Sequence, residues 1–464
     1  MTRAAVIRNV VPPAAALIGT VVILLWWMMD PGRTLEIRAP SADESGAGSL
    51  TGPAGPWAGK LIKGAGVPAN LTGVWPNFRG PRHDNLCTDP TPLLKSFPAS
   101  GPKQLWKLEV GEGYAAPVLW KGRAYLLDYD VAARADALRC LSLTDGAEIW
   151  RYTYPSKIKR NHGFSRTIPT VVGQSVISLG PKYNVLCVDA LEGTLRWQMD
   201  LMREYHPQVP EWYAGQCPLV DGDRLILGVG GDCLIAAIDI NTGQAVWKTP
   251  NPNHWKMTHS SLAVMEFAGK KMYLYCAGGG LVAVDAATGA ILWDYPDWKI
   301  SFATIPSPLP VGDGRIFLSG GYNAGSAMLQ LKEKDGQIKP ELLFRLKQSV
   351  FGAIQQTPIL YKEHIFGIRP DGQLVCLSLD GKIVWESGPA HQFGNGPLLI
   401  AQDTIFLLSD SGTLTLAEAS VEGYKPLSEA SVLDGGDAWG PLALADGRLM
   451  VRDMTHVVCL EVGK

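Results

Sequence analysis

Residues that could support catalysis or hold a metal ion are spread along the chain rather than grouped. The eight histidines include His254 and His259, five positions apart, but no His-x-His or His-Glu-x-x-His motif of the kind that binds zinc. No Gly-x-Ser-x-Gly motif marks a serine nucleophile. The glycine runs at 228–231 and 278–280 are not followed by a predicted helix, so they lack the N-terminal amides that cradle phosphate. We therefore predict no catalytic residue and no metal site.

Side chains suited to binding are concentrated in the longer segments that join predicted strands. Aromatic rings can stack on a sugar, a quinone or a peptide, and long loops on a rigid scaffold are common recognition sites. We expect these segments to share one face, where the residues before each first strand surround an axial funnel. The candidate ligand-binding residues are Tyr114, His162, Arg166, Trp212, Tyr213, His259, Gln355 and Trp439.

The balance of charge excludes one class of partner. The 464 residues include 42 basic and 44 acidic side chains, so the formal net charge is −2. Binding to nucleic acid depends on clustered Lys and Arg that neutralise phosphates. We predict no nucleic-acid partner.

A membrane anchor is predicted at the N-terminus. Val10–Met29 carries no charge and, as a helix, would be long enough to cross a bilayer. Arg3 and Arg8 precede it, and basic flanks stay on the cytoplasmic side. We predict a transmembrane helix within 1–30, a flexible Gly/Pro/Ala/Ser-rich linker over 31–74, and the remainder on the periplasmic side. A cleaved signal peptide is the alternative for the first segment, and it also exports the rest.

Residues 75–464 are self-similar, which is the strongest pattern in the sequence. Each unit of roughly 49 residues has four short apolar runs separated by turns, the size of one propeller blade. The pattern predicts an all-β fold, an eight-bladed β-propeller with four-stranded blades. The eight units open at Pro117, Pro169, Pro218, Ser260, Pro308, Pro358, Pro397 and Pro441.

The two ends of the repeat region complement each other. The eighth unit has only three predicted strands, and residues 103–110 have the form of a fourth strand with its Trp. A ring closed by pairing 103–110 with the tail near 456–461 would leave no open sheet edge to aggregate. The sequence therefore predicts a closed, monomeric ring.

One repeat position is occupied by tryptophan in most units. A buried Trp on the outer strand can pack against the neighbouring blade and offer its N–H to that blade's backbone. The Thr-Gly or Asp-Gly before it indicates a tight turn with positive φ at Gly. The predicted blade-docking residues are Trp106, Trp150, Trp197, Trp247, Trp293 and Trp385.

The residues from Asp239 to Trp247 and from Asp285 to Trp293 share the form Asp-x-x-Thr-Gly-x-x-x-Trp. This form resembles the repeat of the pyrroloquinoline-quinone (PQQ)-like propellers. The segment 75–81, Trp-Pro-Asn-Phe-Arg-Gly-Pro, is similar to the opening of exported repeat proteins. The superfamily includes quinone-dependent alcohol dehydrogenases and a non-enzymatic outer-membrane assembly lipoprotein. The resemblance thus implies the fold and leaves the function open.

Cysteine usage bears on the quinone hypothesis. The resemblance implies, for a dehydrogenase, an adjacent cysteine pair near the quinone, acidic Ca²⁺ ligands and a catalytic Asp. This chain has eight dispersed cysteines and no adjacent pair. Cys140, Cys187, Cys376 and Cys459 share one third-strand position, where we expect them to fill small buried slots. We predict no cofactor, and PQQ with Ca²⁺ belongs only to the alternative function.

Three functional hypotheses remain from the sequence. The first is a membrane-anchored, exported propeller that acts as a non-catalytic binding or scaffold module for a cell-envelope protein or glycan. The alternative is a PQQ-dependent alcohol or sugar dehydrogenase, which would be an enzyme. A third possibility is carbohydrate recognition by the aromatic loops.

Overall fold

The computed structural model describes Leu17, Thr20, Val21 and residues 57–464. The predicted transmembrane helix within 1–30 therefore lies outside the described residues except for those three, which are helical. Within the described part of the chain, no helix has both the length and the hydropathy needed to cross a membrane.

Residues 57–464 form eight β-sheets, each built around four antiparallel strands of one repeat unit, and this confirms the predicted eight-bladed propeller. Three N-terminal strands, β1 (Lys60–Lys63), β2 (Val74–Trp75) and β3 (Leu86–Cys87), are additions to blades 1 and 7. One short helix, α1 (Leu201–Tyr205), follows blade 2, and the Asp200 side chain accepts hydrogen bonds from its first amides.

Blades 1 to 4 follow the chain without crossovers. Blade 1 contains β5 (Val118–Trp120), β6 (Arg123–Asp130), β7 (Ala135–Ser142) and β8 (Glu148–Pro155). Blade 2 contains β9 (Thr170–Val172), β10 (Ser175–Leu179), β11 (Asn184–Asp189) and β12 (Leu195–Asp200). Blade 3 contains β13 (Leu219–Asp221), β14 (Arg224–Gly228), β15 (Cys233–Asp239) and β16 (Ala245–Pro250). Blade 4 contains β17 (Ala263–Phe267), β18 (Lys270–Ala277), β19 (Gly280–Asp285) and β20 (Ile291–Tyr295).

Blades 5 to 8 repeat the pattern, and only the last one takes a strand from elsewhere in the chain. Blade 5 contains β21 (Leu309–Gly312), β22 (Arg315–Gly320), β23 (Gly325–Lys334) and β24 (Gln337–Leu346). Blade 6 contains β25 (Ile359–Tyr361), β26 (His364–Ile368), β27 (Leu374–Ser378) and β28 (Ile383–Glu386). Blade 7 contains β29 (Leu398–Ala401), β30 (Thr404–Leu408), β31 (Thr413–Glu418) and β32 (Pro426–Ser431). Blade 8 contains β33 (Ala443–Ala445), β34 (Arg448–Arg452), β35 (His456–Glu461) and β4 (Lys103–Glu109).

Blade 8 closes the ring as the sequence predicts. Its fourth strand, β4, pairs antiparallel with β35, and Trp106 lies opposite Cys459. The core that covers this junction joins blades 7, 8 and 1 and includes Trp106, Leu414 and Leu460. Burial of this apolar surface is what holds the two ends of the chain together.

The blades dock through the repeated tryptophans. The indole N–H groups of Trp106 and Trp197 donate to Leu143 O (3.2 Å) and Ile240 O (2.7 Å) of the following blade. Trp150 and Trp385 make equivalent bonds to Ala190 O and Ser420 O. Trp247 and Trp293 have the same place in the repeat, but their N–H groups have no hydrogen-bond partner.

In several units the turn glycine serves this docking as well as the turn. Gly243 has a φ of 71°, and a Cβ at this position would lie 2.8 Å from the Trp197 ring of the preceding blade. Gly146 and Gly193 meet Trp106 and Trp150 in the same way. Glycine is required here by both the positive φ and the close approach of an indole.

The predicted flexible linker, 31–74, needs a correction in its described part. Lys60–Lys63 forms β1, which pairs antiparallel with β8 on the outer edge of blade 1, with Leu61 opposite Tyr152. This strand is mostly exposed on both faces, so its sequence lacks the apolar alternation that would reveal it. Its backbone hydrogen bonds cover a sheet edge that would otherwise be open.

Residues 75–87 enter the middle of the ring, and we call them the channel segment. Trp75 pairs with Leu119 of blade 1, and the carbonyl of Pro76 accepts from the amide of Val171 in blade 2. Further contacts reach the first strands of blades 6, 7 and 8: Arg79 Nη2 donates to Pro358 O (2.9 Å), Asn85 Nδ2 to Leu398 O (3.2 Å) and Cys87 Sγ to Leu444 O (3.5 Å). Because first strands line the axis, the channel segment occupies the central channel.

Candidate binding surface at the strand-joining face

The segments that join one blade to the next are bonded to their neighbours around the ring. The amide of Tyr114, in the segment between blades 8 and 1, donates to Ser165 O (2.8 Å) in the segment between blades 1 and 2. The amide of His259, in the segment between blades 3 and 4, donates to Thr304 O (3.0 Å) in the segment between blades 4 and 5. The amide of Gly113 donates to Met454 O (3.0 Å), in the loop between the second and third strands of blade 8. The joining segments and these loops therefore share one face, which we call the joining face.

Two of the predicted ligand-binding residues stack on each other. The rings of Tyr114 and Trp439 lie 5.2 Å apart and are nearly parallel, at 11°. The Trp439 N–H donates to Asp410 Oδ1 (2.8 Å) in blade 7, which fixes the orientation of the indole. Burial, with a smaller contribution from the charge of Asp437, raises the pKa of Tyr114 to about 12, so its hydroxyl stays protonated.

Arg166 connects this stack to the next joining segment. Its guanidinium carbon lies 5.9 Å from the centre of the Tyr114 ring, and Nη2 donates to His162 O (2.8 Å). Nη1 is buried and has no hydrogen-bond partner. Burial lowers the pKa of Arg166 to about 10, which still leaves the side chain cationic at neutral pH. His162 contributes its carbonyl to this arrangement and exposes its own side chain.

Tyr213 and His259 lie beside Arg166 and are less accessible than predicted for ligand contacts. The Tyr213 hydroxyl accepts from the amide of Lys159 (2.9 Å) and donates to Lys159 O (3.0 Å), so it ties two joining segments together. Nε2 of His259 is buried without a partner. Burial and then the charge of Arg166 lower the pKa of His259 to about 4, so the imidazole is neutral at pH 7.

A row of aromatic rings extends from the buried His259 through the half-buried Trp212 to two exposed rings, Phe302 and Tyr322. Trp212 lies 6.3 Å from His259 and 4.9 Å from Phe302, whose ring lies 4.7 Å from Tyr322. Phe302 is 58% exposed and Tyr322 is 37% exposed. We call Trp212, Phe302 and Tyr322 the aromatic ledge.

Sequence reasoning missed Phe302 and Tyr322. Phe302 lies in the joining segment after blade 4, and its position alone could have suggested it. Tyr322 lies in a turn of blade 5 with a positive φ of 55°, and no sequence pattern marks it.

Gln355 lies apart from these residues. It is half-buried in the joining segment before blade 6, and the structure gives it no hydrogen bond to the other predicted residues within the described part of the chain. Its neighbour Gln356 donates to the carbonyls of Asn395 and Gly396, which connects blades 6 and 7. The structure thus brings together Tyr114, Arg166 and Trp439, with Tyr213, His259 and Trp212 next to them.

The donor set of this cluster does not suit a Ca²⁺-bound quinone. Calcium takes six to eight oxygen ligands, several of them carboxylates. The cluster presents aromatic rings, a neutral imidazole and the cation of Arg166, which would repel a second cation. Of the carboxylates beside it, Asp410 already accepts the Trp439 N–H and Asp437 lies near Tyr114. Among the described residues, no group of three or more His, Cys, Asp or Glu side chains is arranged to hold a metal ion.

The cysteines have no redox partner in the structure. All eight are free and buried. Burial raises the pKa of the Cys140, Cys376 and Cys459 thiols to about 12, and that of Cys187 to about 11. A thiol that stays protonated is a poor nucleophile and a poor metal ligand.

Comparison with known proteins identifies relatives of the fold. A family model described as outer membrane protein assembly factor BamB matches residues 91–205 and 134–380. The crystal structure of BamB from Moraxella catarrhalis has 16% sequence identity and a TM-score of 0.53, and the match covers 77% of this chain and 99% of that one. The computationally designed protein Ika8 has 13% identity and a TM-score of 0.50, with 77% and 99% covered.

Quinoproteins are also similar, at a lower score. The quinohemoprotein alcohol dehydrogenase from Comamonas testosteroni has 15% identity and a TM-score of 0.42, covering 84% of this chain and 81% of that one. Among curated protein sequences, none matches the chain. At 16% and 13% identity, the matches to BamB and Ika8 establish the propeller fold alone, and the function must be argued from the site.

Proposed function

The chain belongs to the family described as outer membrane protein assembly factor BamB, and from this premise we propose that it is a non-catalytic binding propeller of the cell envelope that acts in outer-membrane protein assembly. The proposal includes export of residues 57–464 to the periplasmic side and attachment to the membrane through the N-terminal segment. Its partner is a protein of the assembly machinery.

The observation that carries this proposal is the aromatic ledge beside Arg166. Exposed aromatic rings and arginine are the residue types that dominate the binding energy of protein interfaces. Phe302, at 58% exposure, projects from a face whose backbone is held by hydrogen bonds between neighbouring blades. A rigid face with exposed aromatic side chains can bind a partner with little loss of conformational entropy.

The test is recovery of partners from an envelope fraction with the full chain. The double variant Trp212→Ala, Phe302→Ala removes two of the three rings of the ledge. Leu342→Ala, Leu343→Ala is a matched control because both leucines are about half exposed, 46% and 52%, on the outer strand β24. We expect outer-membrane assembly proteins, identified by mass spectrometry, to be recovered at least tenfold less with the ledge variant and undiminished with the control.

Three outcomes would contradict the proposal. Equal recovery of the same proteins with the ledge variant and the unaltered chain would exclude this face as the binding surface. Addition of PQQ and Ca²⁺ provides the second check, because a coloured complex that reduces a dye in the presence of an alcohol would favour the dehydrogenase. Binding to a glycan array, lost in the ledge variant, would favour carbohydrate recognition.

A further inference from the structure

A cavity of about 210 Å³ lies in the central channel between the channel segment and the first strands of blades 3, 4 and 5. Phe78, Arg79, Arg82, His83 and Asp84 of the channel segment line one side of it. Leucines, prolines and two serines from the blades line the other side, with Leu219, Leu262 and Leu309 contributing apolar surface. The side chain of Arg82 is 57% exposed, so the cavity reaches solvent at this residue.

Among the described residues, Arg79 is a buried cation without an ion-pair partner, and the charge of Asp84 acts on it only at longer range. Arg79 is 5% exposed, and its Nη2 donates to Pro358 O, whereas its Nε–H is buried and has no hydrogen-bond partner. No carboxylate in the described part of the chain lies within ion-pair distance of Arg79. Asp84, the nearest acidic residue along the chain, is engaged by Arg82 (2.9 Å) and by the amide of Leu86 (2.9 Å).

An uncompensated buried charge is costly, typically by several kcal/mol. The cost is removed when an anion accepts the unused N–H groups, and a planar carboxylate matches the guanidinium fork. Burial lowers the pKa of Arg79 to about 10, so the side chain remains cationic at neutral pH and its unused N–H groups still lack an acceptor.

The walls of the cavity limit the size and polarity of the rest of the ligand. The two serines are held in place by blade-to-blade hydrogen bonds: Ser261 Oγ accepts from the amide of Cys217 (2.9 Å), and the amide of Ser307 donates to Thr357 Oγ1 (2.8 Å). The rest of the blade side of the cavity is largely apolar and favours methylene groups over further charges. The volume equals that of about seven water molecules, enough for a carboxylic acid of a few carbons.

We propose that this cavity binds a small organic carboxylate, with the anionic group on Arg79 and a short apolar body among Leu219, Leu262 and Leu309. Arg79 is the arginine of the Trp-x-x-Phe-Arg-Gly segment, and the proposed function gives this residue no role. The cavity is independent of the aromatic ledge.

The experiment is binding of butyrate to the full chain, measured by calorimetry and by ligand-observed NMR. Butyramide is a neutral probe of nearly the same shape, and inorganic phosphate is an anion without an apolar body. We expect butyrate to bind at least tenfold more tightly than butyramide, and phosphate to bind weakly. Butyrate and butyramide of equal affinity, or phosphate binding tighter than butyrate, would overturn the proposal.

Two variants assign the binding to this cavity. Arg79→Gln removes the cation, and Arg203→Gln, on the exposed face of α1, is the matched control for loss of one charge. Ser307→Leu fills the cavity and leaves the hydrogen bond from the Ser307 amide to Thr357 in place. It therefore tests whether butyrate binds in this cavity even where Arg79→Gln does not fold. We expect at least a tenfold loss of butyrate affinity in Arg79→Gln and Ser307→Leu. Unchanged affinity in Ser307→Leu would contradict the site.

Discussion

At the scale of single residues, buried charges are the unusual feature of this propeller. Asp136, at the start of β7, is fully buried, with the hydroxyls of Tyr154 and Ser156 beside it. Burial raises the pKa of Asp136 to about 7, and the nearby hydroxyls of Ser156 and Tyr154 offset part of this shift. The folded protein therefore prefers the neutral carboxyl.

This preference makes stability depend on pH in a defined direction. The pKa of Asp136 rises from 3.8 to about 7 on folding, so the contribution of its neutral form is present below pH 4 and is lost as the pH rises through 7. Asp136→Asn stays neutral throughout. We expect its melting temperature to exceed that of the unaltered chain at pH 8, and this advantage to be clearly smaller at pH 5 and to vanish below pH 4.

Thermal denaturation of both chains from pH 5 to pH 8 measures this difference. Comparison at each pH cancels the titration of all other groups. A difference between the two melting temperatures that is the same at pH 5 and pH 8 would show that Asp136 is already ionised in the folded protein at pH 5.

Residue types alone identified much of the candidate surface but not its grouping. Tyr114, Arg166 and Trp439 were predicted from their place before first strands, and the structure shows them in contact. Tyr213 was predicted for the same reason, yet its hydroxyl is engaged by the backbone of Lys159. Side-chain rotamers and loop packing decide between these outcomes, and neither is encoded in local sequence.

At the scale of elements, the docking of one blade on the next can be tested by comparing two tryptophans. Trp197 is buried and donates its N–H to Ile240 O, whereas Trp247 is half-buried and its N–H has no partner. We expect Trp197→Phe to lower the free energy of unfolding by about 1–3 kcal/mol, from a lost hydrogen bond and lost buried volume. Trp247→Phe should cost clearly less.

Urea denaturation followed by circular dichroism measures both costs. The variants share the repeat position and the change in side chain, so their difference isolates the hydrogen bond and the deeper burial. Equal losses of stability would mean that the indole N–H of Trp197 contributes nothing measurable to docking.

The elements that escaped prediction are short and lack periodicity. The pairs Val74–Trp75 and Leu86–Cys87 form β2 and β3, each only two residues long, and Lys60–Lys63 is exposed on both faces. Such strands form because the inner and outer edges of the blades offer unpaired backbone groups. The groups that they pair with lie in distant parts of the chain, so local sequence does not reveal them.

At the scale of the whole molecule, stability depends on closure of the ring by β4 and β35. Removal of residues 455–464 eliminates β35 and leaves β4 without a partner. Because β35 also contributes to the core shared by blades 7, 8 and 1, we expect the truncated chain to lose its single cooperative unfolding transition. Amide hydrogen exchange of Lys103–Glu109 should become fast.

Exchange mass spectrometry on the intact and truncated chains measures this loss. Gly280–Asp285 in blade 4 is an internal reference, because its strand has partners on both sides within its own blade. Unchanged protection of Lys103–Glu109 after truncation would contradict closure by this pair of strands.

The sequence by itself determined the number of blades, their turns and the partner of the closing strand. These properties follow from alternation, turn glycines and the repeated Trp, which act over a few residues and recur in each unit. The tertiary structure alone decided that Trp212, Phe302 and Tyr322 form one ledge and that residues 75–87 fill the channel. Contacts between residues far apart in the chain depend on how the ring orients its loops, and no local pattern specifies that geometry.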